Sequence, residues 1–206
     1  MVSNIQINSS GNPQLVKHIA IFASGTGSNA ERIMTYFDGH PSIRVELVVS
    51  NKAKAPVLEK ARAHGVATHL IARTSFYDTQ DILDVLSKYK IDLIVLAGFM
   101  WLIPPYLVAA YAGRMLNIHP ALLPAYGGKG MYGQHVHRAV HAAGERETGI
   151  TIHQVNERYD EGSIVFQASC ELSPDDTPEA IARKVQLLEH QYFAPVIEEF
   201  IQEHFD

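Results

Sequence analysis

The sequence predicts an α/β fold built on a doubly wound, mostly parallel β-sheet, with an antiparallel element near the carboxyl terminus and a long C-terminal helix. Short apolar runs alternate with amphipathic segments over the first hundred residues, which gives the order β-α-β-α-β-α-β. The run 92–97 is apolar on both faces, as a parallel strand covered by helices is. Thr177-Pro178-Glu179 then starts a helical segment that continues to residue 200.

The predicted strands are short apolar or alternating runs bounded by turn residues. In chain order they are 19–23, 45–49, 66–71, 92–97, 114–118, 149–155 and 163–172. The first predicted helix follows the glycine-containing segment 24–29 and carries Ile33, Met34 and Phe37 on one face. The other predicted helices are 55–64, 78–88, 106–111, 135–143 and 177–200. Gly65 is expected to close the helix 55–64.

Length and composition favour one globular domain over residues 17–206, preceded by a flexible N-terminal extension over residues 1–16 that is rich in Asn, Ser and Gln. A net charge of −5 argues against a nucleic-acid partner. The apolar runs are short and the amino terminus does not resemble a signal peptide, so we expect a cytoplasmic protein with no membrane partner. The single cysteine, Cys170, is expected to be a buried structural thiol. Small-molecule substrates are the expected partners, and the chain is expected to be a monomer or a homodimer.

Gly25-Thr26-Gly27-Ser28-Asn29 joins the first strand to the first helix, where backbone amides at a helix start face an anion. A dinucleotide site requires an acidic residue at the end of the second strand, and Ser50-Asn51 stands there instead, which argues against NAD. No lysine follows the glycines, so a nucleoside-triphosphate loop is excluded as well. These residues therefore predict a site for a phosphate monoester.

Asn117 and His119 lie two residues apart at the predicted end of a strand, so both side chains point to the same side. An amide donor beside an imidazole is able to stabilise an oxyanion and to move a proton, which acyl transfer requires. A carboxylate beside His119 would raise the imidazole pKa. Asp160 is the candidate, but it lies in a polar connection 41 residues further along the chain, where a solvated turn is the alternative.

No metal site is expected. His135 and His137 lie two apart on a predicted helix, so they face different directions, and no carboxylate stands at metal-ligand spacing from them. Glu189 lies on the last predicted helix, where solvent exposure and contact with a ribose remain the two alternatives.

Taken together, these motifs closely resemble the phosphoribosylglycinamide formyltransferases, a folate-dependent family of purine synthesis, from about residue 18 to the carboxyl terminus. The motifs that carry the resemblance are Ser24-Gly25-Thr26-Gly27-Ser28-Asn29, Ser50-Asn51-Lys52, Leu96-Ala97-Gly98-Phe99-Met100, Asn117-Ile118-His119-Pro120-Ala121-Leu122-Leu123-Pro124 and Asp160-Glu161-Gly162. The Asn-x-His-Pro-x-Leu-Leu-Pro signature is shared by the formyltransferases that use 10-formyltetrahydrofolate, so it indicates the reaction class. The glycine loop indicates the acceptor.

The resemblance implies a Rossmann-like formyltransferase fold and a formyl transfer from 10-formyltetrahydrofolate, as cosubstrate, to the amine of 5'-phosphoribosylglycinamide, with no metal. It implies that Asn117 and protonated His119 stabilise the oxyanion and that Asp160 keeps His119 charged. The residues implied to bind the phosphate and ribose are Gly25, Thr26, Gly27, Ser28, Asn29 and Glu189. The residues implied to contact the folate are Met100, Trp101, Leu102, Ile103 and Asn117.

The sequence departs from the family at two places. Trp101 stands where family members often carry arginine, which affects the folate tail rather than the chemistry. The segment 127–133 is longer and richer in glycine than the usual proline-glycine turn. Its Lys129 is expected to be a solvated charge rather than a ligand contact.

Three alternatives to this function stay open at this level. One is formyl transfer to another amine, such as an amino sugar or an aminoacylated tRNA. A second is a non-catalytic sensor that binds folate or a nucleotide in the same cleft. A third, an oxidoreductase that uses a nicotinamide cofactor, rests on the glycine loop alone.

Overall fold

The computed structural model describes residues 15–205, so nearly all of the predicted extension 1–16 lies outside the described residues. The strands are β1 (Lys17–Phe22), β2 (Ile43–Ser50), β3 (Ala67–Leu70), β4 (Leu93–Leu96), β5 (Met115–His119), β6 (Glu147–Gln154) and β7 (Ile164–Glu171). The helices are α1 (Ser28–Tyr36), α2 (Pro56–Ala63), α3 (Arg73–Asp78), α4 (Asp81–Lys88), α5 (Pro105–Ala110), α6 (Gln134–Ala142) and α7 (Pro178–His204).

All seven strands form one sheet in the order β3-β2-β1-β4-β5-β6-β7. The first five strands pair in parallel, whereas β5–β6 and β6–β7 are antiparallel. This confirms the predicted doubly wound sheet with an antiparallel element near the carboxyl terminus. Between β1 and β4 the chain order reverses direction, and in open α/β sheets this is where ligands bind, beyond the carboxyl ends of the strands.

Helices cover both faces of the parallel strands. In β4, Leu93 and Val95 belong to a core shared with α1, α2, α6 and α7, while Ile94 and Leu96 belong to a second core shared with α3, α4 and α5. The prediction that the run 92–97 is buried on both faces is confirmed, because its four strand residues are all buried. None of the helices within residues 15–205 is both long and apolar enough to cross a membrane.

The region around residue 78 differs from the prediction. The structure has two short helices there, α3 and α4, where one helix over 78–88 is expected. Thr79 between them is extended (φ −127°, ψ −179°), and its hydroxyl donates to the Ser75 carbonyl at 2.8 Å. Phe76 is the buried residue of α3 and fills the second core. A single apolar anchor among polar residues gives no helical period, which explains why α3 is missed.

The prediction that Cys170 is a buried structural thiol is wrong in its burial. Cys170 is only partly buried, because β7 is the edge strand of the sheet and pairs on one side alone. The predicted long helix is confirmed as α7, which starts where Thr177 accepts a hydrogen bond from the Ala180 amide. It runs four residues beyond the predicted end and packs against α1, α6 and β6.

The proline-containing segment after β5 is tied to the sheet by one buried side chain, Thr151 of β6. Its hydroxyl donates to the Ala121 carbonyl at 2.7 Å and accepts from the Leu123 amide and the Gln167 side chain, each at 2.9 Å. One donor and two acceptor positions are thereby all used. Since Thr151 pairs with His119 across the β5–β6 ladder, the same contact fixes the backbone that follows His119.

We expect Thr151→Val to lower the free energy of unfolding by about 1–3 kcal/mol, because the Leu123 amide loses its only side-chain partner in a buried setting. Urea unfolding at pH 7.5 measures the change. Thr35→Val on the exposed face of α1 makes the same substitution without a buried partner and should shift the midpoint little. Equal midpoints for the two variants would contradict the role given to Thr151.

Candidate active site

The carboxyl ends of β1, β4 and β5 open into one cavity of about 1050 Å³. Every residue predicted for the site lines it: Gly25, Thr26, Gly27, Ser28, Asn29, Met100, Trp101, Leu102, Ile103, Asn117, His119, Asp160 and Glu189. The polar connection that contains Asp160 therefore turns inward and is not the solvated turn that the sequence left as the alternative. Helix α7 supplies the opposite wall, including Arg183, Gln186 and Glu189.

The glycine loop reaches the cavity by a conformation that a larger residue does not tolerate. Gly27 has a φ of +72°, and a Cβ on it would lie 2.4 Å from Cγ2 of Val57 in α2. The Ser24 hydroxyl accepts a hydrogen bond from the Met100 amide at 2.9 Å, which joins this loop to the segment after β4. The loop and the amino terminus of α1 are thus held against the sheet with backbone amides available to an anion.

Two side chains of α7 cross to the start of α1. Gln186 donates to the Ser28 hydroxyl at 3.3 Å, and the Asn29 amide donates to the Glu189 carboxylate at 3.0 Å. Burial raises the pKa of Glu189 above its ordinary value of 4.5, and the hydrogen bond from Asn29 opposes the shift only in part. The Asn29 side-chain oxygen is buried and has no partner among the described residues. The Glu189 carboxylate and the free Asn29 oxygen are both acceptors, so this pair is suited to the hydroxyl groups of a ligand.

A chain of polar contacts links the catalytic candidates at the end of β5. Asp160 lies between two imidazoles: Oδ2 is 3.5 Å from Nδ1 of His119, and Oδ1 is 3.6 Å from Nε2 of His153. Nε2 of His153 accepts from the Asn117 amide at 3.0 Å, because its Nδ1 donates to the Gln154 carbonyl at 2.8 Å. The second N–H of the Asn117 amide remains for a ligand.

His153 has no local sequence motif that marks it as a site residue. Its signal is the register of the antiparallel ladder, which pairs it with Asn117. That register becomes available only once β5 and β6 are known to be partners. His119 and Asp160 are brought together by the same ladder, because Asp160 lies in the connection that leaves β6.

The electrostatic balance favours a neutral His119 beside an ionised Asp160. Burial lowers the pKa of His119 below 6.5, and His153 adds to this, although the Asp160 carboxylate and the Tyr126 carbonyl raise it. Burial raises the pKa of Asp160, but contacts with His153, His119 and the Gly128 amide together bring it below its ordinary value of 3.8. The expectation that Asp160 keeps His119 charged is therefore wrong for the free protein. Only 4% of the imidazole side chain is exposed, and the effect of burial on the His119 pKa outweighs that of the Asp160 carboxylate.

The neutral tautomer of His119 follows from its other contact. Nε2 lies 2.8 Å from the Tyr126 carbonyl, which is only able to accept, so Nε2 carries the proton. Nδ1 is then the basic nitrogen, and it faces Asp160. His137 of α6 also lines the cavity, buried, with a pKa lowered by burial and by His119. His135 is exposed, as expected for its place two residues away on the helix.

Trp101 forms one side of the cavity within an aromatic cluster. Its ring centroid lies 5.7 Å from that of Phe76 and 6.1 Å from that of Phe99. The guanidinium of Arg73 stands 5.6 Å from the Trp101 ring and 5.0 Å from the Tyr77 ring. A cation is thus present beside Trp101. Among residues 15–205 no group of three or more His, Cys, Asp or Glu side chains is arranged to hold a metal ion.

Comparison with known proteins identifies relatives over almost the whole described chain. Residues 17–197 match a family model described as formyl transferase. The chain is 40% identical over 198 residues to phosphoribosylglycinamide formyltransferase, chloroplastic, of Arabidopsis thaliana, covering 93% of this chain and 68% of that protein. It is 36% identical over 191 residues to phosphoribosylglycinamide formyltransferase of Bacillus subtilis, covering 90% and 95%. The crystal structure of phosphoribosylglycinamide formyltransferase from Anaplasma phagocytophilum superposes with a TM-score of 0.83 at 31% identity, covering 90% of this chain and 87% of that chain.

The raised pKa of Glu189 gives a prediction about stability. Since the folded protein favours the protonated carboxyl, the free energy of unfolding of the wild type falls as the pH rises from 4.5 through the folded-state pKa. Glu189→Gln removes this penalty, and the new amide is able to donate to the unpartnered oxygen of Asn29. We expect a higher urea midpoint than the wild type at pH 8, with the gap closing as the pH falls towards 4.5.

Glu199→Gln is the matched control, because Glu199 is an exposed carboxylate on the same helix. It should leave the midpoint unchanged at both pH values. A Glu189→Gln variant that is less stable than the wild type at pH 8 would show that the carboxylate stabilises the empty protein.

Proposed function

The chain belongs to the formyl transferase family, and from that premise we propose that it transfers the formyl group of 10-formyltetrahydrofolate to the amine of 5'-phosphoribosylglycinamide, a step of de novo purine biosynthesis. The observation that carries the proposal is the single cavity that joins the glycine loop to Asn117, His119 and Asp160. Its volume of about 1050 Å³ is at the upper end of the range for one small ligand, which supports a site for two substrates.

In this proposal the phosphate of the acceptor binds to the amides of Gly25, Thr26 and Gly27 and to the side chains of Ser28 and Asn29. The ribose hydroxyls bind to Glu189, whose carboxylate accepts and whose partner Asn29 has a free acceptor oxygen. This pairing of a phosphate loop with a hydroxyl-binding site favours a ribonucleotide over an amino sugar or a tRNA. The net charge of −5 also speaks against a tRNA partner.

The folate binds along the segment after β4 in this proposal. Met100, Trp101, Leu102 and Ile103 give an apolar wall against which a flat ring system is able to pack. Asn117 lies at the junction of the two regions and contacts the formyl oxygen. Arg73, beside Trp101, is an exposed cation near the end of this wall.

The proposed reaction begins when the acceptor amine attacks the formyl carbon and a C–N bond forms. The formyl oxygen becomes an oxyanion, which accepts a hydrogen bond from the free N–H of Asn117. The proton of the attacking nitrogen passes through the Asp160 carboxylate to Nδ1 of neutral His119, and the imidazolium that results is paired with that carboxylate. The proton then passes to N10 of the folate as the C–N10 bond breaks. His119 is thus neutral at the start and charged only in the intermediate.

The direct test mixes the protein with 5'-phosphoribosylglycinamide and 10-formyltetrahydrofolate and follows release of tetrahydrofolate. We expect saturable turnover that Asn117→Ala lowers by about a hundredfold to a thousandfold, because one oxyanion donor is lost. Asp160→Asn should also lower kcat strongly, since the imidazolium loses its counter-charge. Asp175→Asn, at an exposed aspartate before α7, is the matched control and should retain wild-type kcat.

A transfer rate equal to the uncatalysed one, despite tight binding of both ligands, would identify a sensor instead. Transfer to an amino sugar but not to the ribonucleotide would identify a different acceptor.

The pH profile tests the neutral imidazole separately. Because the proposed base is neutral His119, kcat/KM should fall on the acidic side with a midpoint below 6.5. Asp160→Asn removes the carboxylate that raises this pKa, so the residual activity should show its acidic limb at a still lower pH. Asp175→Asn should not move the limb. A wild-type acidic limb centred above 7 would contradict the neutral His119.

A further inference from the structure

We propose that the backbone of Tyr126, Gly127 and Gly128, here called the 126–128 clamp, positions the His119–Asp160 pair for proton transfer, with Gly127 as the residue that makes the clamp possible. The inference rests on the function proposed above, and it concerns residues outside the set that binds substrate or carries the chemistry. It assigns a role to the start of the glycine-rich segment 127–133.

The clamp makes one hydrogen bond to each member of the pair. The carbonyl of Tyr126 accepts from Nε2 of His119 at 2.8 Å. The amide of Gly128 donates to Oδ2 of Asp160 at 2.9 Å, the same oxygen that faces Nδ1 of His119. An acceptor on the imidazole and a donor on the carboxylate come from peptide groups only two residues apart. Their polarity matches the imidazolium–carboxylate pair that forms during the reaction.

The close approach depends on glycine at position 127. A Cβ on Gly127 would lie 2.5 Å from Cδ2 of Leu123 and 3.3 Å from Cβ of Asp160. Real Cβ atoms essentially never make a contact as short as the first, so an alanine requires either the buried Leu123 side chain or the turn itself to move. The neighbouring residues complete the turn with left-handed φ values of +57° at Tyr126 and +93° at Gly128. The turn is therefore specified by its shape and not by a side chain that touches the ligand site.

The turn is anchored on its amino-terminal side by two contacts. The Leu123 amide donates to the Thr151 hydroxyl at 2.9 Å. The Tyr126 hydroxyl donates to the Glu145 carboxylate at 2.6 Å. An anchored turn holds its carbonyl and amide at fixed positions, so reorganisation of these dipoles during proton transfer is small.

The clamp also decides which nitrogen of His119 is basic. With Nε2–H directed at the Tyr126 carbonyl, Nδ1 is the nitrogen that faces Asp160 and receives the proton. Two other imidazoles lie near the pair. His153 on β6 lowers the pKa of His119, and the pKa of His137 on α6 is itself lowered by burial and by His119. The Tyr126 carbonyl opposes the lowering of the His119 pKa, because it accepts a hydrogen bond from the protonated imidazole. The Gly128 amide lowers the pKa of Asp160, because it donates to the carboxylate.

The test compares Gly127→Ala with the wild-type chain in the formyl-transfer assay. A misplacement of the pair by about 1 Å should lower kcat by about a hundredfold, while KM for both substrates changes less than about twofold. Loss of the Tyr126 acceptor lowers the His119 pKa, so the acidic limb of kcat/KM should move to lower pH. A role confined to stability does not move that limb.

Two further variants separate positioning from general damage. Leu123→Val removes the Cδ2 atom that meets the new Cβ, so the Gly127→Ala/Leu123→Val double variant should recover at least tenfold in kcat, although it has a smaller core. Gly144→Ala is the matched glycine control: its φ is +68°, nothing lies within 4 Å of its Cβ, and it is remote from the cavity. It should leave kcat and the limb unchanged.

The proposal would be overturned if Gly127→Ala kept wild-type kcat and an unchanged acidic limb of kcat/KM. It would also be overturned if Gly127→Ala lost kcat without a shift of that limb and the double variant did not recover. The ¹⁵N spectrum of the histidine side chains keeps the proposal testable if the variant does not fold. Above the pKa of His119, the wild-type spectrum should show the tautomer protonated at Nε2, and a tautomer protonated at Nδ1 would overturn the clamp. If the wild type fails to transfer formyl groups but shows the Nε2 tautomer, the proposed function fails and the clamp geometry stands.

Discussion

The antiparallel pairing of β5 with β6 is the interaction on which the site depends. Its register sets Asn117 opposite His153 and His119 opposite Thr151. The first pair orients the amide of the candidate oxyanion donor, and the second ties down the proline-containing backbone after His119. Because β6 runs opposite to β5, its carboxyl end and the connection to β7 return to Asn117, which brings Asp160 into reach of His119. A shift of one residue would turn each of these side chains to the other face of the sheet.

The second feature of the site is a balance between burial and pairing. Desolvation alone would neutralise both His119 and Asp160. The Gly128 amide and the two neighbouring imidazoles nevertheless hold the pKa of Asp160 below its ordinary value, while burial holds the pKa of His119 below its own. A neutral imidazole beside a carboxylate has a strong electrostatic reason to take up a proton, and it is well placed to hold one once the substrate supplies it. Enzymes commonly tune an acid–base pair in this way, by environment rather than by residue type.

The acceptor end of the cavity shows a different compromise. Glu189 is partly buried with one hydrogen bond from Asn29, and the oxygen of Asn29 has no partner among the described residues. The buried carboxylate and the unpartnered oxygen both lower the stability of the empty protein. A ligand that donates hydrogen bonds to the two groups would remove this cost. Binding sites are often less stable than the protein around them for this reason. The rigid parts of the site lie elsewhere, on the sheet and on the turn beside Asp160.

Much of this protein is determined by local sequence. Within residues 15–205, apolar runs and turn residues predict six of the seven helices and all seven strands, because most of those elements have a periodic apolar pattern that ends at turn residues. The glycine loop and the Asn117–His119 pair are also predictable from local sequence, because the residues of each motif lie within a few consecutive positions. The helix α3 escapes prediction because Phe76 alone anchors it, and the exposure of Cys170 reflects the place of β7 at the sheet edge, which no local pattern encodes.

Only the tertiary structure decides which distant residues meet. The local sequence favours a solvated turn at Asp160 over a partner of His119, and the β5–β6 ladder reverses that preference. His153 has no signal outside the ladder. The protonation of His119 is likewise a property of the fold, because burial, the Asp160 carboxylate and the Tyr126 carbonyl pull its pKa in opposite directions and only their relative strength settles it. The sequence by itself determines the strands, the glycine loop and the candidate side chains for the reaction. The fold determines the distances between them, and distance controls both hydrogen bonding and the energy of a buried charge.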